Sequence, residues 1–223
     1  ARALAREGAR VAGGARRVER LETDVALPLD VTDVASCERF VADAVEALGG
    51  IDVLVNTAGL ALGREPVTES TEEDERTVLE TNVNGLMRIT RLCLPHIRDY
   101  GHIVNMGSVA GRQAYPNGSS YVASKFAVRG YTYALREDLL GRPIRITTVD
   151  AGLVETEFSV VRFRGDADAA RKVYEDLPFG GACTPDDVAE CILFAVTRPP
   201  HVNVDELVVM ALAQSSGARV FRG

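Results

Sequence analysis

The sequence predicts an α/β fold in which helices cover both faces of one doubly wound parallel sheet. Two patterns carry this prediction. Short runs of Val, Ile and Leu recur between turn residues, as in strands that are buried on both faces of a parallel sheet. Between them lie stretches with apolar residues every three or four positions, which is typical of amphipathic helices. Because strand and helix alternate along all 223 residues, we expect right-handed βαβ crossovers within a single domain, residues 1–223.

The predicted strands are short and rich in β-branched residues. They cover residues 10–14, 25–31, 51–55, 102–106, 144–149 and 204–212. Ligands of doubly wound sheets bind at the carboxyl ends of the strands. The residues that follow these runs are therefore the first candidates for a functional site.

Four helices are predicted between the strands. The first covers 34–48, the second runs from Ser70 toward 97, the third covers about 119–140, and the fourth begins at Thr184 and runs toward 196. Ser70 and Glu73 form a capping-box pattern, and Thr184 followed by Pro185 is a typical helix start. Gly141 is expected to end the third helix.

The chain opens on what is predicted to be the second half of a helix, which Gly8 closes before the first strand. A doubly wound sheet has a strand and a phosphate-binding turn before that helix, and the sequence contains neither. Residues 17–26 are also too short for the helix that connects two parallel strands. We therefore expect a further segment upstream of Ala1, and missing residues near Glu22.

Composition argues against several classes of function. The chain has 25 Lys and Arg against 32 Asp and Glu, and the resulting net charge of −7 argues against nucleic acid as a partner. No apolar run reaches the roughly 18 residues of a membrane-spanning helix, and no signal-peptide pattern is present. The four cysteines form no CxxC pair and no metal-ligand spacing. We expect a reduced, cytoplasmic protein without a metal site.

The strongest chemical signal is Tyr121-Val-Ala-Ser-Lys125 on the third predicted helix. The i, i+4 spacing places both side chains on one helical face. A phenol titrates near ~10, and a neighbouring ammonium is expected to lower its pKa toward the working range of an acid–base catalyst. Ser108 ends the preceding strand, where its hydroxyl would face a ligand. Together these three residues predict a site that moves a proton on and off a carbonyl or carbinol oxygen.

Several motifs in this order resemble the short-chain dehydrogenase/reductase family. They are Asn56-Thr57-Ala58-Gly59 after a buried strand, Asn82-Val83-Asn84-Gly85, Ser108, and Tyr121-x-x-x-Lys125. The resemblance covers essentially the whole chain. It implies a Rossmann-type sheet, NAD(P)-dependent hydride transfer and a homotetramer built partly through the long helices around Asn82 and Tyr121.

The resemblance also implies residue roles. Tyr121 would be the general acid/base, Ser108 would hold the substrate oxygen, and Lys125 would lower the tyrosine pKa and bind the nicotinamide ribose. Asn82 would order a water in the proton relay; the alternative is a packing role. The chain departs from the family at Thr57, at Ala151, where proline is usual, and in lacking the glycine-rich turn.

Cofactor choice is predicted from charge. The first strand is followed by Ala15-Arg16-Arg17, with no carboxylate for the ribose hydroxyls of NAD. A guanidinium pairs with a 2′-phosphate, so we expect NADP(H), with Arg16 better placed than Arg17; the alternative is that both arginines are solvated. By resemblance the other cofactor-binding residues are Asp30, Val31, Asn56, Ala58, Gly59, Tyr121, Lys125, Gly152, Val154 and Thr156; Asp30 could instead cap the next helix.

Residues 153–183 are predicted to form an arginine-rich loop over the substrate. This loop resembles those of the NADP-dependent 3-hydroxy acid dehydrogenases that accept serine and malonic semialdehyde. Arg162 is the first candidate to bind a substrate carboxylate and Arg164 the second, although loop arginines are most often solvated. The predicted function is hydride transfer between NADP(H) and a small 3-hydroxy acid. The alternatives are a ketoreductase for a bulkier ketone and a non-catalytic NADPH-binding regulatory protein.

Overall fold

The computed structural model describes all 223 residues and confirms the α/β class. Every pair of neighbouring strands is parallel. The strands are β1 (Ala12–Ala15), β2 (Val25–Pro28), β3 (Ile51–Asn56), β4 (Ile97–Met106), β5 (Arg145–Ala151) and β6 (Glu206–Val209). The helices are α1 (Arg2–Arg6), α2 (Val34–Leu48), α3 (Glu72–Leu79), α4 (Leu86–Cys93), α5 (Ser119–Asp138), α6 (Phe158–Arg162), α7 (Ala167–Lys172) and α8 (Pro185–Val196).

The parallel sheet is divided into two parts, which the sequence did not predict. One part has the order β1-β2, and the other has the order β3-β4-β5-β6. A mostly apolar cavity of about 590 Å³ is lined by residues of both β1 and β3. The link between β1 and β2 contains only one 3₁₀ turn, Val18–Arg20, so no crossover helix forms there.

Two apolar clusters cover the two faces of the larger sheet. Successive residues of β4 alternate between them, because neighbouring side chains of a strand point to opposite faces. Ile103 packs with residues of α2, α4 and α5 on one face, whereas Val104 packs with Val188 and Ile192 of α8 on the other. Helices therefore lie on both faces, as predicted.

Helix α2 illustrates how the local sequence sets the limits of an element. The Asp33 side chain accepts hydrogen bonds from the backbone N–H groups of Ala35 and Ser36 at the start of the helix. At the other end Gly49 adopts φ 74°, a left-handed conformation that glycine reaches without strain. The predicted range of this helix is confirmed.

The second predicted helix is wrong in three respects. Its N-cap is Thr71, which accepts from the N–H of Asp74, rather than Ser70. The helix is interrupted by a π-helical segment, Glu80–Gly85. It also ends at Cys93 and is followed by a 3₁₀ turn, so Ile97 already belongs to β4. The π segment contains Asn82, and such segments are frequent at functional sites.

The predicted substrate-covering loop, residues 153–183, contains two short helices, α6 and α7. Its conformation is fixed by the Tyr174 hydroxyl, which lies 2.7 Å from Ser159 Oγ and donates to the Val154 carbonyl at 3.0 Å. No helix of the structure is both long and apolar enough to cross a membrane.

Candidate active site

Ser108, Tyr121 and Lys125 line one cavity of about 540 Å³ at the carboxyl ends of β4 and β5. Tyr121 and Lys125 lie one turn apart near the start of α5, and the Lys125 ammonium nitrogen is 5.8 Å from the centre of the Tyr121 ring. The Phe158 ring packs against the tyrosine with a centroid distance of 5.4 Å. The structure thus brings together the three residues that the sequence selected.

Ser108 is positioned by the turn that follows β4. It has extended backbone and caps the 3₁₀ turn Val109–Gly111, where its Oγ accepts a hydrogen bond of 3.1 Å from the N–H of Ala110. Because the hydroxyl acts there as an acceptor, its own proton is available to a second partner. The hydroxyl can therefore donate to the Tyr121 phenol oxygen or to a substrate oxygen in the cavity.

Lys125 is a buried cation. Only 7% of the residue is exposed, and its ammonium donates to the Met106 carbonyl at 2.9 Å. Burial lowers the pKa of Lys125 to about 8, and the negative charge of Asp150 opposes this shift. The cavity therefore contains an amine whose charge depends on pH near neutrality.

The phenol of Tyr121 differs from the sequence prediction. Burial raises the pKa of Tyr121 to about 12, and the hydrogen bond from Ser108 and the charge of Arg162 oppose the rise only in part. The expected lowering by Lys125 is not among the causes that act on this phenol. The desolvation of a phenolate outweighs its neighbours here, so the phenol is protonated at neutral pH.

Asn82 approaches the lysine from the π segment. Its amide donates to the Leu60 carbonyl and to Ser124 Oγ, and its Oδ1 accepts from the Leu60 N–H. A Cβ added to Gly59 would lie 3.2 Å from Asn82 Oδ1 and 3.8 Å from the Lys125 ammonium. Both amide protons are in use, so only an oxygen of Asn82 remains to hold a relay water.

The residues around this cavity fit the nicotinamide half of a dinucleotide. Gly59, Gly152, Val154 and Thr156 line it together with the catalytic candidates. Gly152 leaves no room for a side chain, since an added Cβ would lie 2.1 Å from Gln214 Oε1. Gln214 therefore packs directly against the backbone where the resemblance expects the nicotinamide.

The other predicted cofactor residues lie away from this cavity. Arg17 forms an ion pair with Glu157, whereas Arg16 has no hydrogen-bond partner. Hydrogen bonds from Thr32 lower the pKa of Asp30, and the nearby charge of Arg16 lowers it further.

Three further predicted cofactor residues lie inside the protein or against the other cavity. Val31 is buried against Gly85, and Ala58 lines the cavity between the two sheets. The Asn56 amide donates hydrogen bonds to Thr90 and Asn105. Both amide protons of Asn56 are thus in use, and only its oxygen remains for a cofactor.

At the substrate end, Arg162 lies in the cavity and Arg164 does not. Arg162 Nε donates to the Gly63 carbonyl at 3.1 Å and Nη1 donates to the Tyr115 hydroxyl at 3.1 Å. Its Nη2 is buried without a partner. Arg164 instead pairs with Asp74 outside the cavity. The unpaired Nη2 is what a carboxylate-binding guanidinium would present.

Sequence reasoning missed four residues at this site. Tyr115 and Arg64 lie beside Arg162, Gln214 holds the backbone at Leu153, and Asp150 lies behind the strand that carries Ser108. None of these four belongs to a motif. The acidic residue Asp150 near the end of a predicted buried strand was the one available signal, because buried carboxylates are rare without a partner.

Asp150 begins an ionic network behind the cavity. Its carboxylate, in a residue that is 1% exposed, accepts from Arg112 Nε at 2.5 Å. Arg112 also pairs with Glu206, which Arg129 and Tyr133 contact in turn. Burial opposes the ionisation of Glu206, but the hydrogen bonds from these three residues outweigh it and lower the pKa of Glu206 to about 2.

The ionisation of Lys125 can be measured directly, because the chain has only two lysines, Lys125 and Lys172. After ¹³C labelling of lysine, NMR titration should resolve one ammonium with a pKa of about 8. Lys172→Arg assigns the two signals. Asp150→Asn should lower the pKa of Lys125 further, because it removes the charge that opposes the shift. A single shared titration near the ordinary lysine value would contradict the burial of this amine.

The Glu206 network should make stability depend on pH. Since the folded-state pKa of Glu206 lies below the ordinary value of 4.5, its stabilising effect is complete above that pH and is lost as the pH falls toward about 2. Glu206→Gln should lower the free energy of unfolding by about 3 kcal/mol at pH 7, and this difference should shrink below pH 4.5. Urea denaturation at several pH values measures it.

The matched control is Glu72→Gln, which removes a highly exposed pair with Arg76. Such pairs contribute little, so we expect a change of at most about 0.5 kcal/mol at every pH. An equal effect of both substitutions would show that the Glu206 network has no special role.

Comparison with known proteins agrees with this geometry. Residues 1–201 match a family model described as enoyl-(acyl carrier protein) reductase. The NADP-dependent 3-hydroxy acid dehydrogenase YdfG of Shigella flexneri is 41% identical over 233 residues, covering 99% of this chain and 93% of that protein. The serine 3-dehydrogenase of Agrobacterium fabrum is 36% identical and covers 100% of this chain and 92% of that protein.

Solved structures extend the match. The closed form of a serine dehydrogenase complexed with NADP⁺ has a TM-score of 0.91 and 40% identity, covering 100% of this chain and 93% of that chain. A short chain dehydrogenase from Burkholderia cenocepacia in complex with NADP has a TM-score of 0.80 and 27% identity, covering 98% of this chain and 90% of that chain. The chain therefore belongs to the short-chain dehydrogenase/reductase family and is an oxidoreductase.

Proposed function

We propose that this protein is an NADP-dependent dehydrogenase that interconverts a small 3-hydroxy acid, of the serine or malonic semialdehyde type, and its carbonyl form. The observation that carries the proposal is one cavity that holds Ser108, Tyr121 and Lys125 together with Arg162, whose Nη2 is buried and unpaired. The first three residues suit proton transfer at an oxygen, and the guanidinium suits a carboxylate. The names of the 36–41% identical relatives point to the same substrate class.

The residues divide the chemistry among them. NADP, when bound, supplies or accepts the hydride. The Ser108 hydroxyl donates a hydrogen bond to the substrate oxygen, and the protonated Tyr121 phenol gives its proton to that oxygen in the reduction direction. The Ser108 hydrogen bond and the charge of Arg162 stabilise the phenolate that this transfer leaves behind, and the proton is restored through Lys125 and a relay water held by Asn82.

Arg162 orients the substrate in this proposal. Its guanidinium is fixed by Gly63 and Tyr115, so Nη2 is presented in one direction without further ordering. A carboxylate bound there places a carbon at a set distance from the catalytic residues, which lowers the entropic cost of reaching a reactive geometry.

The cofactor assignment rests on Arg16. Arg16 has no carboxylate within ion-pair distance, whereas Arg17 is paired with Glu157. A free guanidinium after β1 supports binding of a 2′-phosphate, and the NADP named for the relatives agrees.

The assay that tests this function is reduction of NADP⁺ with serine, 3-hydroxypropionate, 3-hydroxyisobutyrate and neutral secondary alcohols. We expect turnover of a 3-hydroxy acid, a lower kcat/KM with NAD⁺, and a loss of about 1,000-fold or more in Tyr121→Phe. Arg162→Ala should raise KM for the acid by about 10- to 100-fold, because a charged hydrogen bond is lost, and should change KM for a neutral alcohol far less.

Arg39→Ala, an exposed substitution on α2, is the matched control and should leave both values unchanged. Equal effects of Arg162→Ala on acid and alcohol would refute the carboxylate role. Turnover of bulky ketones alone would favour the ketoreductase alternative, and NADPH binding without any turnover would favour a regulatory protein.

We further infer a cytoplasmic homotetramer. The four cysteines are free thiols, which supports a reducing compartment. Two exposed apolar surfaces support self-association. One is the outer side of α3 and α5, with Leu79, Phe126 and Tyr133; the other is the sheet edge at β6, with Val208 and Leu212.

Sedimentation equilibrium should give four times the chain mass of 24.0 kDa, and Leu212→Lys should shift the distribution toward smaller species. A monomer at micromolar concentration would refute this inference.

A further inference from the structure

The proposed substrate cavity carries more positive charge than one carboxylate can neutralise. Three cationic side chains line it, Arg64, Lys125 and Arg162, and no Asp or Glu does. Lys125 belongs to the proton-transfer group, and its ammonium donates to the Met106 carbonyl. Two guanidinium groups therefore remain for the substrate.

Arg64 is held beside Arg162 by the backbone of its neighbour Gly63. The Gly63 N–H donates to the Arg162 carbonyl at 2.9 Å, and the Gly63 carbonyl accepts from Arg162 Nε at 3.1 Å. Both guanidinium groups also lie against the Tyr115 ring, at 5.9 Å for Arg64 and 5.5 Å for Arg162. The two cations thus share one wall of the cavity.

Arg64 has no counter-ion in the protein. It forms no ion pair, although Glu65 follows it directly in the sequence. The Glu65 carboxylate turns back over Gly63 and does not line the cavity. Partial desolvation at the cavity wall, and then the charge of Arg162, lower the pKa of Arg64, so an anion bound between the two guanidinium groups would relieve their repulsion.

The two guanidinium groups lie at different depths. Arg162 is half-buried and its Nη2 is enclosed, whereas Arg64 is an exposed residue at the cavity mouth. One carboxylate held at the inner Nη2 leaves the outer charge unpaired. We propose that Arg64 is a specificity-determining residue that binds a second acidic group of the substrate, so that the preferred substrates are 3-hydroxy acids with an anionic group on the far side of the carbinol carbon. This inference rests on the proposed function.

The kinetic test compares 3-hydroxyglutarate with its monomethyl ester, which has the same skeleton and one negative charge less. We expect kcat/KM to be at least about tenfold higher for the diacid, and Arg64→Ala to reduce that ratio to about one, mainly by acting on the diacid. Arg64→Lys should retain part of the preference, since it keeps the charge but loses the forked geometry. Arg39→Ala serves as the control for a lost surface charge.

A binding measurement makes the inference independent of turnover. Glutarate and monomethyl glutarate carry no hydroxyl group to oxidise, and calorimetry in the presence of NADP⁺ should show tighter binding of glutarate in the wild type only. A diacid preference that is absent, or that survives Arg64→Ala, would overturn the inference. If the monoester is oxidised without a diacid preference, the proposed function stands and this inference fails. If glutarate binding depends on Arg64 but neither hydroxy acid reacts, Arg64 binds the second acidic group as inferred, and the proposed function fails.

Discussion

The burial of one ammonium group, that of Lys125, is the constraint on which the rest of this site depends. A buried cation is costly unless polar groups surround it, and here one hydrogen bond to the Met106 carbonyl and the nearby charge of Asp150 meet that cost. The carbonyl comes from the end of β4 and the carboxylate from β5, so the sheet itself positions the lysine. Asp150 in turn requires Arg112, and Arg112 requires Glu206, which ties the active site to the edge strand β6.

Different parts of this ionic network affect the stability of the protein and the charge of the candidate site. The outer part of the network, around Glu206, contributes mainly to stability, because its carboxylate gathers hydrogen bonds from three side chains. The inner part, Asp150, acts on the site, because its charge reaches Lys125. A pH change near neutrality therefore alters the charge of the lysine, whereas the outer ion pairs respond only under acidic conditions.

Much of the fold, and the meeting of the three candidate catalytic residues in one cavity, could be predicted from the sequence because they rest on local patterns. The i, i+4 spacing fixed Tyr121 and Lys125 on one face, and the strand end located Ser108. The π segment at Asn82 could not be predicted, because no local pattern distinguishes it from the α-helix on either side. The pKa of Tyr121 could not either: the sign of its shift depends on how fully the cavity excludes water, which no spacing reveals. Arg64 and Tyr115 belong to no sequence motif, and only their place in the folded cavity identifies them.

The charge of the proposed substrate also affects the proton chemistry. The positive charge of Arg162 lowers the pKa of the Tyr121 phenol, against the larger effect of burial. A carboxylate bound at Arg162 cancels part of that charge, so the occupied site holds the phenol more firmly in its protonated form. In the proposed mechanism the protonated phenol is the proton donor of the reduction direction. A carboxylate at Arg162 therefore acts on Tyr121 as well as on the position of the substrate, because it raises further the pKa of a phenol that is already protonated in the empty site.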